Sequence, residues 1–277
     1  MLKEKKIFTS APLPFMGQKR KFLKQFKPAL RNYSPTATYV DLFGGSGLLS
    51  HTIKAIYPDA KVIYNDFDNY QERLQNIDKT NQLIADIRLI LHDAVEDKRI
   101  TGTHKELVLN RVRQECNNGY VDFITLSSSI LFSMKYVCSL KALEKETLYK
   151  TVRQTPYTAV GYLDGLEIVS TEYKDLFDKY KHFPNVVFLV DPPYLSTDVG
   201  TYKNCWKLKD YLDVLQVLVG TKYFYFTSNK SSIIELCEWI ETKTPCSNPF
   251  IGASIETMNA TVTYQSSYTD IMLYKYE

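Results

Sequence analysis

The chain has 277 residues, of which 44% are apolar and 23% are charged, and its formal net charge at pH 7 is +3. This length is enough to bury a full core, either as one large domain or as one domain with an insertion, and the composition is ordinary for a soluble protein. The small basic excess permits binding to nucleic acid but does not require it.

The cysteine, histidine and apolar patterns argue against a disulfide-rich secreted protein, a metalloprotein and a membrane protein. The five cysteines are scattered without a C-x-x-C pair, which is typical of reduced thiols in a cytoplasm-like compartment. The four histidines show no metal-ligand spacing, so we expect no metal. No signal peptide and no membrane span is predicted. We therefore expect a cytoplasmic protein without a membrane partner.

The first 36 residues contain a basic, loop-like stretch followed by a predicted helix. The stretch carries Phe15, Gly17 and Lys19. Apolar residues then recur at helical spacing, with lysines on the opposite side, which indicates an amphipathic helix. Its expected apolar side consists of Phe22, Leu23, Phe26 and Leu30.

A predicted strand ends at Asp41 and leads into the glycine-rich turn Phe43-Gly44-Gly45-Ser46-Gly47, after which a helix begins. Glycines allow positive φ and let a ligand approach the backbone closely. A dinucleotide site of the form G-x-G-x-x-G would need a third glycine where Ser50 stands, so NAD and FAD are disfavoured. A phosphate-binding P-loop is disfavoured as well, because no Gly-Lys-Ser/Thr follows.

The next predicted strand, residues 61–65, ends before Asp66 and Asp68. An acid about 20 residues beyond such glycines, at the end of the second strand, can bind both hydroxyls of a ribose. We assign Asp66 to this role and Asp68 to the cap of the following helix. The alternative is that both acids only cap the helix.

Residues 75–165 are predicted to be mainly helical. The stretch 71–91 is polar and amphipathic, whereas the stretch 123–140 is apolar, rich in serine and predicted to be a core helix. Lysines, arginines, amides and aromatic residues recur through the region, and these side chains hold phosphates and read base edges. A solvated helical face explains them equally well, so the sequence identifies no single base-reading residue.

After this region the strand–helix alternation resumes. Residues 166–170 form a predicted strand, and Glu172 and Asp175 lie in the first turn of the next helix, where acids are common because of the helix dipole. Further on, we predict a helix at 206–219, a strand at 223–227, a helix at 231–241 and a hairpin of strands 255–264 and 270–276.

Between these elements, the apolar run 186–190 predicts a fully buried strand that ends at Asp191-Pro192-Pro193-Tyr194. The prolines end the strand because they donate no ladder hydrogen bond. Asp191 and the Pro192 carbonyl are adjacent acceptors that suit an NH2 group, and Tyr194 offers a face on which a base can stack. The alternative is a plain strand-ending turn.

These motifs resemble those of a known enzyme class. Asp191-Pro192-Pro193-Tyr194 resembles the catalytic motif of amino-methyltransferases that act on adenine N6 in DNA, and the F-x-G-x-G turn at residues 43–47 resembles the S-adenosylmethionine motif of methyltransferases. The cofactor motif comes first, a long middle region follows and the catalytic motif comes last. This order is similar to that of the Dam-type (alpha-group) DNA adenine-N6 methyltransferases.

The resemblance implies an α/β fold with a Rossmann-like, mostly parallel methyltransferase sheet, a C-terminal antiparallel hairpin and an inserted, mainly helical recognition region. The catalytic domain would comprise residues 1–74 and 166–277, and the target-recognition region residues 75–165. The implied reaction is site-specific methylation of adenine N6 in double-stranded DNA with base flipping, and the implied cofactor is S-adenosyl-L-methionine.

The resemblance also assigns roles to single residues. Phe15, Gly17 and Lys19 would lie near the methionine end of the donor, and Asp41 would bind its amino group. Glu172 would contact its adenine, with Asp175 as the alternative. Asp191, Pro192, Pro193 and Tyr194 would form the catalytic motif. The remaining residues implied at the donor site are Phe43, Gly44, Gly45, Gly47, Asp66 and again Asp191.

The expected partner is double-stranded DNA, with a restriction endonuclease of the same system as a further candidate, and the protein is expected to be a monomer. Two other readings stay open. The same chemistry could act on adenine in RNA or on a protein amide, although the glutamine methylases usually begin this motif with Asn rather than Asp. The protein could also be a DNA-binding protein that keeps the fold without turnover.

Overall fold

The computed structural model describes residues 7–95, 98–132, 135–150, 152–193, 206–244, 248–263 and 266–277. The chain divides into two compact units, each built from separate stretches of sequence. The first unit comprises residues 1–10, 19–68 and 163–277, and the second comprises residues 11–18 and 69–162.

The boundaries of these units differ from the predicted ones at residues 11–18 and 69–74, which group with the second unit, and at residues 163–165, which group with the first. For the first two stretches, the reason is a set of hydrogen bonds between them. The hydroxyl of Tyr70 contacts the backbone N–H and carbonyl of Leu13 at 3.0 and 3.1 Å, and Arg73 donates to the Pro14 carbonyl at 2.8 Å.

Strands occur in both units, with β3 and β4 in the second. In chain order they are β1 (Thr38–Asp41), β2 (Lys61–Asn65), β3 (Arg99–Ile100), β4 (Leu148–Tyr149), β5 (Glu167–Val169), β6 (Val186–Val190), β7 (Lys222–Ser228), β8 (Ser254–Thr263) and β9 (Ser266–Lys275).

Helices occur in both units as well, and a 3-10 turn at Arg20–Phe22 precedes the first of them. In chain order they are α1 (Leu23–Leu30), α2 (Leu48–Ile56), α3 (Tyr70–Gln75), α4 (Ile77–Ile90), α5 (Gly102–Asn117), α6 (Phe123–Ile130), α7 (Leu140–Glu144), α8 (Tyr173–Tyr180), α9 (Leu208–Leu218) and α10 (Ile233–Glu241).

Within the described residues, seven strands of the first unit form one sheet in the order β5-β2-β1-β6-β7-β9-β8. The strands from β5 to β7 are parallel to their neighbours, and β9 and β8 add an antiparallel hairpin at one edge. The predicted α/β, Rossmann-like fold with a C-terminal hairpin is confirmed. The strand order reverses at β1, which lies between β2 and β6, and in open α/β sheets ligands bind at such a switch point.

The apolar strand sequences explain why this sheet is buried. All five residues of β6 are buried, as the continuous apolar run predicted. On one face, the predicted apolar side of α1 packs against β7, with the rings of Phe26 and Phe224 4.8 Å apart and those of Phe22 and Phe226 5.6 Å apart. The carboxyl ends of β1, β2, β5, β6 and β7 therefore lie along a single edge of a rigid sheet.

The second unit has a separate helical core. Apolar side chains of α4, α5 and α6 pack together there with the short β3–β4 pair, and its members include Leu83, Ile87, Val108, Leu126 and Leu148. A buried ion pair joins Arg73 of α3 to Asp122, whose carboxylate also caps α6 by accepting from the Thr125 N–H at 3.0 Å. Among the described residues no helix is long and apolar enough to cross a membrane.

Two predicted helices of the second unit are shorter in the structure. The stretch 71–91 is divided into α3 and α4 at Asn76, whose side-chain amide donates to the Glu72 carbonyl at 2.8 Å. The single helix predicted at 123–140 was wrong, because α6 ends at Ile130 and α7 begins only at Leu140. Serine hydroxyls compete for backbone groups here, as Ser127 accepts from the Val137 N–H at 3.3 Å.

The predicted cap of the helix after β2 was also wrong. The residue that precedes α3 is Asn69, not Asp68, and it adopts a left-handed conformation with φ of 56°. Asparagine tolerates this conformation because its short polar side chain reduces the steric penalty.

Gly44, in the turn after β1, lies directly against the ring of Tyr64 in β2. A Cβ atom at this position would lie 2.3 Å from two carbons of that ring and 2.8 Å from the Asn65 carbonyl oxygen. The ring of Tyr64 is fully buried and the Asn65 oxygen belongs to the backbone, so neither can move without disturbing the sheet.

We expect Gly44→Ala to lower the free energy of unfolding by about 3 kcal/mol, because the added methyl group overpacks a rigid site. Gly220→Ala is the matched control. Gly220 has a φ of +68° and open space around the new Cβ. This variant should therefore lose only about 1 kcal/mol of stability, through backbone strain. Urea unfolding of both variants measures the difference, and equal losses would contradict the steric explanation.

Candidate active site

Two aspartates meet at the switch point of the sheet. Asp41 is the last residue of β1 and pairs with Leu189 of the parallel strand β6, and Asp191 follows the end of β6. Both carboxyl groups therefore lie at the carboxyl edge of the sheet, on neighbouring strands. The two groups interact electrostatically, because the negative charge of Asp191 is one of the causes that raise the pKa of Asp41.

Lys19 forms an ion pair with Asp191, with its Nζ atom 2.5 Å from Oδ2. Burial raises the pKa of the Asp191 carboxyl, the positive charge and hydrogen bond of Lys19 lower it, and the nearby charge of Asp270 raises it. The net pKa lies above the ordinary value. Lys19 is thus the group that favours the ionised form of an otherwise desolvated carboxylate.

Sequence reasoning missed Asp270 because nothing in its local pattern marks it. It lies in β9, opposite Ser228 at the carboxyl end of β7. The hairpin returns the chain to the sheet and thereby brings this third carboxylate close enough to influence Asp191.

Asp41 is buried, with a relative exposure of 2%. Its Oδ2 accepts a hydrogen bond of 2.7 Å from the Ser50 hydroxyl, and the backbone N–H of Phe43 also favours the charged form. Burial is the larger effect and raises the pKa of Asp41 to about 7. Ser50, which replaces the third glycine of a dinucleotide motif, is therefore the hydrogen-bond partner of this acid.

The glycine-rich turn is held by hydrogen bonds rather than by side-chain packing alone. Gly47 adopts φ of 72° and starts α2, and its N–H donates to the Gly44 carbonyl at 2.8 Å. The hydroxyl of Tyr64 donates to the Gly45 carbonyl at 2.7 Å. Backbone groups of the turn thus take a defined position beside the end of β1.

Asp66 directly follows β2, as predicted, and its relative exposure is 5%. Its N–H donates to the Val169 carbonyl at 2.7 Å, which ties it to the end of β5. Its Oδ1 lies 3.1 Å from the Tyr64 hydroxyl. Tyr64 therefore links the glycine turn to the acid that we assign to a ribose.

Asn65 is a residue whose role the sequence did not indicate. Its amide nitrogen donates to the carbonyls of Leu42 and Thr171, both at 3.0 Å, and its amide oxygen accepts from the Thr171 N–H at 3.1 Å. This buried side chain fixes the segment that precedes α8. Glu172 is the next residue; it is exposed, and its side chain forms no cap bond to α8.

Three aromatic rings pack together at Tyr173, the residue that follows Glu172. The ring of Phe43 lies 4.9 Å from that of Tyr173 and 5.8 Å from that of Trp206, and the last two stack at 6.0 Å. The buried hydroxyl of Tyr173 has no hydrogen-bond partner within the described part of the chain. Trp206 was not predicted, because it follows the catalytic motif by 12 residues and only the fold brings it here.

Phe15 and Gly17 belong to the second unit, whereas Lys19 belongs to the first. Phe15 packs edge-on against Tyr70 at 5.6 Å, and Gly17 has φ of 79° with open space around it. The assignment of Phe15 and Gly17 to the methionine end of a donor stays a prediction.

The rest of the predicted catalytic motif is only partly described. Pro192 is buried and Pro193 is half-buried, and neither belongs to a strand. Tyr194 lies outside the described residues. Among those described, no group of three or more His, Cys, Asp or Glu side chains is arranged to hold a metal.

Comparison with known proteins identifies the family of the chain. The model of the D12 class N6 adenine-specific DNA methyltransferases matches residues 15–216. A candidate methyltransferase of Haemophilus influenzae is 40% identical over 281 residues, which cover 98% of this chain and 94% of that protein. A solved structure of a candidate transferase from Pyrococcus horikoshii has a TM-score of 0.31 and 12% identity, covering 94% of this chain and 66% of that one.

The buried acid Asp41 yields a prediction on stability. Its pKa is about 7 in the folded protein against 3.8 for an exposed carboxyl, so the folded state loses stability as pH rises from about 4 to 7. Asp41→Asn removes this cost. We expect the variant to be more stable than the wild type at pH 8, by about 2–4 kcal/mol, and by less at pH 5.

Urea unfolding at the two pH values measures this effect. Ser50→Ala is the control of opposite sign, because it removes a hydrogen bond that favours the ionised form and should lower stability at pH 8. A difference between Asp41→Asn and wild type that does not change from pH 5 to pH 8 would argue against a raised pKa.

Proposed function

Because the chain belongs to the D12 class of N6 adenine-specific DNA methyltransferases, we propose that it transfers the methyl group of S-adenosyl-L-methionine to an adenine flipped out of a specific double-stranded sequence. The observation that carries this proposal is the position of Asp191, directly after the buried strand β6, beside Asp41 at the switch point and paired with Lys19. Adenine methylation of DNA is the activity of the family as a whole.

The residues at the carboxyl edge of the sheet fit such a donor chemically. Asp66 is the acid for the two ribose hydroxyls, Asp41 is the acid for the amino group, and Glu172 is the acid for the adenine amine. Phe43 and Tyr173 provide apolar faces beside Glu172. When bound, S-adenosyl-L-methionine supplies a methyl group on a cationic sulfur, which leaves as a neutral thioether once the acceptor nitrogen has taken the methyl.

Asp191 and the Pro192 carbonyl act on the acceptor. The lone pair of adenine N6 is delocalised into the ring, so this nitrogen is a poor nucleophile. Hydrogen bonds from its two N–H groups to the carboxylate and the carbonyl would localise the pair and aim it at the methyl carbon. Such orientation can lower a barrier by several kcal/mol, with about 7–11 kcal/mol as the upper range. After N6 has gained the methyl group it is cationic, and it then loses a proton.

Lys19 has a second role in this scheme. The ionised form of Asp191 is the stronger acceptor for the N6 amino group, and burial opposes ionisation. The ammonium group at 2.5 Å offsets that cost. We therefore assign Lys19 to the charge balance of the catalytic carboxylate, in addition to the role near the methionine end of the donor that the resemblance implies.

The remaining parts of the proposal concern the substrate. Flipping the adenine costs a few kcal/mol, and stacking on Tyr194 would repay part of it. The second unit, with its numerous basic and amide side chains, is proposed as the target-recognition region. A monomer and a restriction endonuclease partner are compatible with this function, and both are open to direct measurement.

The first experiment is to incubate the protein with tritiated S-adenosyl-L-methionine and unmethylated double-stranded DNA, and to analyse the digested nucleosides. We expect label in N6-methyladenine. Asp191→Ala should abolish transfer, with at least a thousandfold loss expected from removal of the positioning carboxylate, while donor binding measured by calorimetry persists.

The outcomes separate the alternatives. Label in RNA or protein but not in DNA would contradict the proposed substrate. Donor binding without any transfer would indicate a binding protein, and unimpaired methylation by Asp191→Ala would refute the role of Asp191.

The ion pair yields a prediction on pH dependence. In Lys19→Met the carboxyl of Asp191 stays buried without its cation, so its pKa should rise further. The ionised form is the active one, so the acidic limb of the kcat–pH profile should move to higher pH, by about one unit or more. Lys19→Arg keeps the charge and should leave that limb near the wild-type position. A uniform drop in kcat at all pH values would show that Lys19 acts in another way.

A further inference from the structure

A concave site lies in the second unit, and none of the residues assigned to catalysis lines it. It is a cavity of about 270 Å³ between α4 and the segment 153–157. Two arginines, Arg88 and Arg153, line it, and we call it the arginine pocket. The family resemblance assigned no role to any of its residues.

The backbone that carries Arg153 is pinned to α4 from two sides. Arg88 donates from Nη2 to the Arg153 carbonyl at 2.6 Å. Asn81 holds Tyr157 by accepting from its N–H at 2.8 Å and donating to its carbonyl at 3.0 Å. These hydrogen bonds position the wall of the pocket, and the buried Nε of Arg88 has no hydrogen-bond partner among the described residues.

The guanidinium of Arg153 is oriented before any ligand arrives. Its Nε donates to the Thr155 carbonyl at 2.6 Å, and its Cζ lies 4.2 Å from the centre of the Tyr157 ring. Its two terminal nitrogens have no partner within the described residues. A guanidinium fixed in this way offers two parallel donors at a small entropic cost, which suits a ligand with two adjacent oxygen acceptors.

The charge of the pocket favours an anion at this end. Asp78 is the acid among its lining residues, and it lies ten positions before Arg88 on α4, about 15 Å away along the helix axis. Arg88 and Arg153 give the lining two positive charges against the one negative charge of Asp78, a balance that favours an anion over a cation.

We propose that the arginine pocket receives a backbone phosphate of the DNA substrate, an inference that rests on the proposed function. The conformation of the Arg153 side chain favours a phosphate over a base as the ligand. An arginine that reads guanine must extend toward the floor of a groove about 8.5 Å deep, whereas Arg153 is folded back onto its own loop. Phosphates protrude from the duplex and can enter a concave site.

The test compares the full-length wild type with Arg153→Ala, Arg153→Lys and Arg31→Ala in equilibrium binding to two duplexes over a series of salt concentrations. One duplex contains the target sequence that the protein methylates, in its unmethylated form, and the other lacks that sequence. For Arg153→Ala we expect Kd to rise roughly tenfold for both duplexes and the salt slope to fall by about 0.9. Arg153→Lys keeps the charge, so it should retain the slope and lose part of the affinity.

Arg31→Ala is the matched control for net charge. Arg31 is exposed, follows α1 before the amino-terminal end of β1 and forms no ion pair with any described residue. It should bind like the wild type. Donor binding should be unchanged in all variants, and circular dichroism should confirm folding. Should Arg153→Ala fail to fold, Arg153→Lys and Arg153→Gln provide the same comparison.

Several results would overturn the proposal. Unchanged affinity and slope in Arg153→Ala, or an equal loss in Arg31→Ala, would exclude a phosphate contact at this pocket. A loss of affinity restricted to the duplex with the target sequence would mean that Arg153 reads a base. Tight binding of inorganic phosphate by the wild type, competitive with neither duplex, would point to a free anion instead.

The two proposals fail in different ways. A wild type that neither binds nor methylates DNA would refute the proposed function. A wild type that does both, with an Arg153→Ala variant that matches it, would refute only the role of the arginine pocket.

Discussion

The proposed chemistry depends on a carboxylate, that of Asp191, which must stay ionised although it is largely desolvated. Asp191 ends β6 at the edge of the sheet where Asp41 ends β1, and Asp270 lies near enough to oppose its charge. One cation, Lys19, lies 2.5 Å from Asp191 and counters both effects. Desolvation makes the hydrogen bonds of such a carboxylate stronger than they would be in water, provided that the charge is kept. The rest of the site is arranged around this balance.

The scaffold of the site is built mainly from β2. Tyr64 packs so closely on Gly44 that no side chain fits there, and its hydroxyl contacts both the Gly45 carbonyl and Asp66. The next residue, Asn65, ties the end of β1 to the segment before Glu172. Two adjacent side chains of one strand, pointing to opposite faces, therefore position groups on three neighbouring strands. The glycine of the turn is needed here for packing, whatever ligand the turn also contacts.

The second unit uses buried polar contacts for a different purpose. Arg73 pairs with Asp122 and also holds the Pro14 carbonyl, so the segment that carries Phe15 and Gly17 is part of that unit's own structure. In the arginine pocket, by contrast, only part of the hydrogen-bonding capacity is used for structure. The terminal nitrogens of Arg153 remain as donors, which is the difference between an arginine that holds a fold and one that is ready for a ligand.

The sequence by itself determined the sheet and the positions of Asp41, Asp66 and Asp191. Buried strands, glycine turns and strand-ending prolines are local patterns, and an acid that ends a parallel strand must lie at the carboxyl edge. Only the tertiary structure decided which groups those acids meet. These groups come from residues far apart in the chain. Lys19 pairs with Asp191, Asp270 lies near Asp191, and the amide of Asn65 bonds to Leu42 and Thr171. Their distances and the resulting pKa values depend on packing and burial, which no local pattern specifies.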